Sequence, residues 1–269
     1  MPRPIITITT DFGQKDSYVA QLKGVLLSIN PLLHLVDLTH AIHPQDVARA
    51  AAVLDETIDL FPENTLHIVV VDPGVGTARR IVGVEMASQR FVAPDNGVLS
   101  MVSNRFKPKR IVRLTVQSFW RQRVSNTFHG RDVMAPVAAH WSLGTDLADF
   151  GEPYTEALVE LPSRRPTQIT GGVAGEVIRE DSFGNLITNI DESLIPDESR
   201  KRLTVQIGPH SIQGIRRCYG ERQPDELLTV IGSSGQLEIA VNRGSAAELL
   251  SLSTGAEVQV LGIETTDNE

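Results

Sequence analysis

Two short stretches hold side chains that could activate a water molecule. In HIVVVDPGVGTARR, residues 67–80, an apolar run ends in Asp72, a Pro/Gly loop follows, and Arg79 returns before the next strand. In NTFHGRDVMAP, residues 126–136, His129 stands just before Gly130, and Arg131 and Asp132 open a helix. A carboxylate, a guanidinium and an imidazole around one point suit an oxygen nucleophile. The carboxylate orients it or accepts its proton, the imidazole shares that proton, and the guanidinium holds the hydroxide-like oxygen. Gly130 is read as the residue that lets the backbone turn sharply. Plainer readings exist. HGRD alone is a helix cap with a paired charge, and an Asp at a strand-to-helix junction is more often a cap than a catalyst. GVG resembles a phosphate loop, but a third glycine and an opening helix are missing.

A third stretch, EDSFGNLITNI at 180–190, sets Asp181 and Asn185 around a turn through Phe183 and Gly184. It reads either as a hairpin connection or as a clamp for a zwitterion, with carboxylate facing ammonium and amide facing either end. Several strand ends also carry polar groups: Thr9, Thr10, Asp11 and Asp16 after the first, Asp37, Thr39 and His40 after the second, and Asp95 and Asn96 after a later one. In parallel α/β sheets ligands sit beyond the carboxyl ends of strands, so these tips would converge on one acidic cleft. His40, His43, His67 and His140 read as surface or hydrogen-bonded structural histidines, because no pair has metal-ligand spacing together with a third ligand.

The elements that must position these groups alternate in the first half. IITITT (5–10), LHLVDL (33–38) and TLHIVVV (65–71) read as buried strands. DSYVAQLKGVLLSIN (16–30), with Asp16 as N-cap, and HPQDVARAAAVLDETIDLF (43–61), with Pro44 in its first turn, read as helices. This order predicts an α/β domain with a mainly parallel sheet. Shorter strands follow at 81–86, 90–94 and 110–115, then a helix over 130–144 with Gly144 as its C-cap. LPSRRPTQITGG (161–172) reads as a linker. Beyond it, short alternating segments are spaced like an antiparallel barrel or sandwich and predict a small β domain. The expected domains are 1–165 and 166–269.

The chain has 269 residues, enough for two domains with sizeable cores. It is 41% hydrophobic and 22% charged, with a net charge of −8. No basic run stands out, which argues against a nucleic-acid partner. No apolar run reaches the roughly 20 residues of a membrane span, and the N-terminus shows no signal-peptide layout. One cysteine, Cys218, permits no internal disulfide and fits a reducing, cytoplasmic compartment.

TTDFGQKDSYVAQLKG, VVDPGVGTARR, APDNG, TFHGRDVMAPVAAH, DSFGNLITNI and LEIAVNRGSAAELL together resemble the S-adenosyl-L-methionine (SAM) hydroxide adenosyltransferases, or SAM hydrolases, relatives of the SAM-dependent fluorinase and chlorinase. The six motifs occur in the family's order and span essentially the whole chain. The resemblance implies an α/β N-terminal domain, a small C-terminal antiparallel β-barrel domain, a homotrimer with active sites between subunits, and a reaction of SAM with water giving adenosine and L-methionine. It implies no metal and no cofactor. The family's catalytic set falls on Asp72, Arg79 and His129, leaving Arg80 facing solvent. Asp11 would accept the ribose hydroxyls. Asp16, Asp181 and Asn185 would meet the methionine end, and Phe183 would pack against the ligand. Ser233, Ser234 and the backbone around Asn242 and Arg243 would meet the carboxylate and the adenine edge.

The halogenase relatives carry tyrosine where this chain has Asp72 and His129, and a halide-binding serine where it has Gly130, so the chain resembles the water-using branch. A carboxylate at contact distance would also repel a halide by several kcal/mol in a drier site, on the order set by Coulomb's law. The chain departs from the halogenase pattern at Gln45, Tyr18 and Ser234, which replace a tryptophan, a serine and an arginine. Two other readings stay open: a chloride-using halogenase, and a non-catalytic SAM or adenosine binder.

Overall fold

The β-branched run IITITT forms strand β1 (Ile5–Thr10), buried from its second residue onward. Its neighbours in space are β2 (His34–Thr39) and β3 (Leu66–Val70), both parallel to it. The computed structural model describes residues 3–162 and 165–263, and the chain divides into two compact units, Met1–Leu161 and Pro162–Glu269.

The first unit completes its sheet with β4 (Ile81–Met86), β5 (Gln89–Pro94), β6 (Arg110–Leu114) and β7 (Gly151–Pro153), in the order β2-β1-β3-β5-β4-β6-β7. Three pairings are parallel, β1–β2, β1–β3 and β3–β5. The other three, β4–β5, β4–β6 and β6–β7, are antiparallel. The sheet is therefore mixed, not mainly parallel as expected. The cause is a tight hairpin: Met86 pairs with Gln89, leaving Ala87 and Ser88 as a two-residue turn at φ +52 and +58. Such left-handed pairs are usually Asn-Gly, so Ala-Ser gives no turn signal.

Helices cover both faces of this sheet. Alternate residues of β3 point opposite ways, as strand geometry requires. Ile68 and Val70 join a core with Leu22 and Leu26 of helix α1 (Tyr18–Ile29), while Val69 joins another with Ala50 and Leu54 of α2 (Val47–Thr57) and Val102 of α3 (Ser100–Arg105). Two expected helix starts need correction. Ser17, not Asp16, is the N-cap of α1, without a side-chain cap bond. Asp46 caps α2 by accepting from Arg49 N at 2.9 Å, so Pro44 lies outside that helix. The segment read as one helix over 130–144 begins as a π-helical turn, Gly130–Met134, and continues as α4 (Ala135–Ser142); Gly144 follows at φ +100.

The second unit holds β8 (Thr167–Ile169), β9 (Gly172–Glu180), β10 (Leu186–Asp191), β11 (Thr204–Ile207), β12 (His210–Gln213), β13 (Ile215–Arg216), β14 (Leu227–Ile231), β15 (Gln236–Val241) and β16 (Glu257–Leu261), and, among the described residues, one short α-helix, α5 (Ala246–Leu250). Strand β8 lies inside the stretch read as a linker, of which Ser163 and Arg164 fall outside the described residues. The sheet runs β12-β11-β16-β9-β10-β15-β14-β13, with β8 on β9. Its pairings are antiparallel except β13–β14, and it is nearly barrel-shaped. The two end strands of this path, β12 and β13, are one length of chain interrupted only by Gly214 at φ +75. The core inside includes Val177, Leu186, Val205, Ile239 and Val258.

Candidate active site

β2, β1, β3 and β5 lie side by side and parallel, so their carboxyl ends share one edge of the first unit. Asp72 emerges just past β3. The loop after it is tied by Val75 N donating to Asp72 O at 3.1 Å and Thr77 N donating to Gly74 O at 3.1 Å. Asn96, past β5, donates from Nδ2 to Val71 O at 2.9 Å and so holds the residue before Asp72.

Two glycines bring His129 onto this loop. A Cβ on Gly76, at φ +79, would lie 2.4 Å from Asn126 O, so the loop can touch the 126–129 segment only without a side chain there. A Cβ on Gly130 would lie 2.5 Å from Val70 Cγ1. Gly130 has no left-handed φ; it serves close approach to β3, which corrects the expectation of a sharp turn. The π-helical turn that follows is anchored by Asp132, fully buried. Its carboxylate accepts from Arg131 Nε at 2.7 Å and Nη2 at 2.8 Å, Arg121 Nη1 at 3.0 Å and Ser125 N at 2.8 Å. Burial raises its pKa, but these donors prevail and hold the carboxyl below its ordinary value.

The result is a contiguous trio. Arg79 Nε donates to both Asp72 oxygens at 2.8 Å, and its Nη2 donates to Asp72 Oδ2 at 2.5 Å. The same Nη2 lies 2.9 Å from His129 Nδ1. The guanidinium thus sits between carboxylate and imidazole. Both charged side chains are largely buried, Arg79 at 11% and Asp72 at 5% exposure. A guanidinium only donates, so Nδ1 must carry a lone pair and the neutral imidazole keeps its proton on Nε2. Desolvation first, then the Arg79 charge, push the His129 pKa down, with Asp72 and Asp132 opposing. The imidazole is therefore neutral at neutral pH, and its Nε2 has no partner among the described residues.

The remaining expected residues divide into groups. Asp11, just past β1, accepts from Gln45 N at 2.8 Å through Oδ2. Asp16 is exposed ahead of α1. Arg80, expected to face solvent, instead lies over the Tyr154 ring at 4.9 Å, pairs with Glu156 and stands 3.7 Å from Asp95. Asp95 is occupied by Tyr154 OH at 2.9 Å and Val159 N at 2.8 Å, so it does not open into a cleft. Phe12, Tyr18 and Phe128 form a ring cluster with centroids 5.4–5.7 Å apart, lining a cavity of about 330 Å³ with Gln21 and Arg131. Among the described residues no group of three or more His, Cys, Asp or Glu side chains is placed to hold a metal ion. None of the described helices is long and apolar enough to cross a membrane.

In the second unit Asp181 spends its carboxylate on its own turn. Oδ1 accepts from Phe183 N at 2.8 Å and Asn185 N at 2.9 Å, and Oδ2 from Asn185 Nδ2 at 2.9 Å. Phe183 projects at 77% exposure from that turn. Leu186 pairs with Ile239 and Asp191 with Gln236, so this turn lies at the far end of β15, with Asn242 and Arg243. Ser233 and Ser234 sit before β15 begins, at the opposite end of the same ladder. The sequence reading passed over Asp132 as an anchor, although a charged residue inside an otherwise apolar helical run is a signal for a buried pair. His40, read as a surface or hydrogen-bonded structural histidine, is buried, with Nδ1 2.9 Å from Thr10 Oγ1.

An acid, a guanidinium and an imidazole gathered at strand tips are the equipment of an enzyme. The chain belongs to the SAM hydroxide adenosyltransferase family: the model of that family's N-terminal domain matches residues 6–151 and that of its C-terminal domain residues 175–259. It is 40% identical to a Salinispora tropica protein named (R)-S-adenosyl-L-methionine hydrolase, over 96% of this chain and 98% of that one. A Thermus thermophilus protein of the same name is 39% identical, over 96% and 100%. A fluorinase of an Actinoplanes species is more distant, at 28% identity over 96% and 97%. A solved structure of an uncharacterized conserved protein from Thermotoga maritima superposes with a TM-score of 0.90 at 37% identity, covering 95% of this chain and 99% of that one.

Proposed function

We propose that this protein hydrolyses SAM, an oxygen from water displacing sulfur at C5′ to give adenosine and L-methionine. The observation that carries the reading is the Asp72–Arg79–His129 contact, joined to the names of the relatives at 39–40% identity. The C5′–O bond forms as the C5′–S bond breaks, and the electron pair of the latter stays on sulfur. Methionine leaves as a neutral thioether, so no acid, metal or redox cofactor is required. Water is the weak partner, and the trio addresses it. Asp72 retains lone pairs beyond its bonds to Arg79 and takes the proton. His129 Nε2–H steadies the oxygen, and Arg79 with the sulfonium favours its hydroxide character. Holding oxygen, carbon and sulfur in line supplies much of the remaining acceleration.

Asp11 takes the ribose hydroxyls in this reading. Asp16, Asp181 and Asn185 serve the methionine end, Phe183 covers the ligand, and Ser233, Ser234, Asn242 and Arg243 complete recognition. The protein is a homotrimer with active sites shared between subunits, and a single cysteine fits a cytoplasmic setting. The decisive test is turnover of SAM in ¹⁸O water, with and without chloride. Adenosine bearing the label at O5′ is the expected product. Unlabelled adenosine, 5′-chloro-5′-deoxyadenosine or unchanged SAM would each overturn the mechanism. Light scattering checks the trimer.

A further inference from the structure

We propose that His40 is a positioning residue for the nucleoside: it clamps the turn that presents Asp11. The inference rests on the reading of Asp11 as acceptor of the ribose hydroxyls. β1 and β2 run parallel, with Thr9 opposite Thr39, so the ends of the two strands emerge together. Thr10 closes β1 and is fully buried; His40 follows β2 and is 4% exposed. Thr10 Oγ1 and His40 Nδ1 are 2.9 Å apart. His40 also accepts through its carbonyl from Gly13 N at 2.8 Å. One residue therefore grips both ends of the turn Thr10–Gly13, side chain at the start and backbone at the close. Gly13 stands at φ +66, where a side chain would strain the turn.

Thr10 Oγ1 also accepts from Phe12 N at 3.3 Å, so the hydroxyl joins the turn to the histidine. His40 Nε2 faces a carboxylate, which only accepts, and so carries a hydrogen. Nε2 stands 3.1 Å from Asp37 Oδ1, close but poorly aligned for a hydrogen bond, so this contact is mainly Coulombic. Asp37 is fixed from the other side by Lys23 Nζ at 2.6 Å, from α1. Burial raises the Asp37 pKa, but Lys23 and His40 outweigh it and keep the carboxyl below its ordinary value. A line from α1 through β2 to the tip of β1 thus ends one residue before Asp11.

Asp11 is itself held on one side only. Gln45 N donates to Oδ2, and Oδ1 has no partner among the described residues. A diol needs both oxygens aimed together, so a small swing of the turn would break two ligand hydrogen bonds at once. A buried network that contacts no ligand yet sets the angle of one carboxylate is how supporting residues act in preorganised sites.

The test uses the full chain and two probes, adenosine and 2′-deoxyadenosine, titrated calorimetrically. The wild type is expected to prefer adenosine. Thr10→Val keeps the shape and deletes the hydroxyl. It should reduce that preference by about tenfold, the scale of one hydrogen bond to a charged group. Thr10→Ser should restore it. His40→Asn, which keeps a hydrogen-bonding group near Nδ1, should fall between wild type and His40→Ala. In SAM turnover the same variants should raise KM while kcat stays within about threefold, the signature of lost ground-state binding. A role confined to folding would lower the melting temperature and leave the adenosine preference and KM of the folded protein unchanged; that outcome would overturn the proposal. So would a wild type that does not distinguish the two nucleosides, even if it hydrolyses SAM. Failure to hydrolyse SAM alone would refute the proposed reaction, while a preference lost in Thr10→Val would still support the clamp.

Discussion

Two aspartates open glycine-containing turns at strand ends in the two units, and their carboxylates are used differently. Asp181 is satisfied within five residues of itself, by two backbone N–H groups and the Asn185 amide. Among the described residues the Asp72 carboxylate receives no backbone donor; its partner is Arg79, which in turn reaches His129, 50 residues further on. The first pattern builds a turn and would form in any hairpin of that sequence. The second exists only once the sheet, the loop and the π-helical turn have assembled. Long-range commitment of charged side chains, not proximity to a glycine, separates the turn proposed to carry the chemistry from the one that closes on itself.

The largest effect that could break this contrast comes from removing each charge. Asp72→Asn should lower kcat by about 10²–10⁴-fold, the usual worth of a positioned proton acceptor, with SAM affinity within a few-fold. Asp181→Asn should cost less in kcat than in KM. Stopped-time product assays and calorimetry on both variants decide it; a comparable kcat loss in the two would erase the distinction.

Acid should separate the units next. His67, fully buried and 2.7 Å from Thr7 Oγ1, has its pKa pushed down to about 4 by burial. The unfolded chain binds that proton near 6.5. Below this pH protonation favours unfolding, so the stabilisation is complete above about 6.5 and is lost as pH falls toward 4. The loss is on the order of 3 kcal/mol for such a shift. It falls on the first unit, which contains six of the seven histidines, and both tryptophans, Trp120 and Trp141, report on that unit. Denaturant titrations followed by tryptophan fluorescence at pH 7 and pH 4.5 should show the drop, and His67→Gln should flatten it.

Matched glycine substitutions give a smaller and sharper comparison. Gly76→Ala would drive a Cβ to 2.4 Å from Asn126 O, and Gly184→Ala one to 2.1 Å from Ser245 Oγ; both sit at left-handed φ. Each should cost about 1–3 kcal/mol, as strained backbone does. Only the first shifts the segment bearing His129, so only Gly76→Ala should lower kcat beyond what its thermal destabilisation explains. The smallest expected effect is that of Arg80→Gln. Arg80 spends its guanidinium on Glu156, which is 68% exposed, on Asp95 and on the Tyr154 ring, so turnover should stay at the wild-type rate. A large loss there would mean that the spare guanidinium, not Arg79, does the chemistry.

Legibility in the sequence followed the range of the interaction. The strands were readable because runs of buried β-branched residues are a local signal, and the meeting of Asp72, Arg79 and His129 because their motifs occur in the family's order. The antiparallel half of the first sheet was hidden by the Ala87–Ser88 turn, whose residues seldom adopt the left-handed pair of angles found there. Asp16 looked like a cap because Asp commonly is one, yet the chain begins its helix a residue later, at Tyr18. The grip of His40 on Thr10 and Gly13 could not be read at all. It depends on two strand ends meeting, and the sequence shows only a histidine after a threonine.

Sheets usually begin to open at a rim, where an outer strand peels away without disturbing the rest. The second unit denies itself that route on one side, because β12 and β13 are a single ribbon hinged at Gly214 and pair at both ends of the strand path. Loosening either rim tugs on the other. Amide protons of β11 and β14, the partners of that ribbon, should therefore exchange with solvent together rather than in sequence, as a clasp gives way all at once.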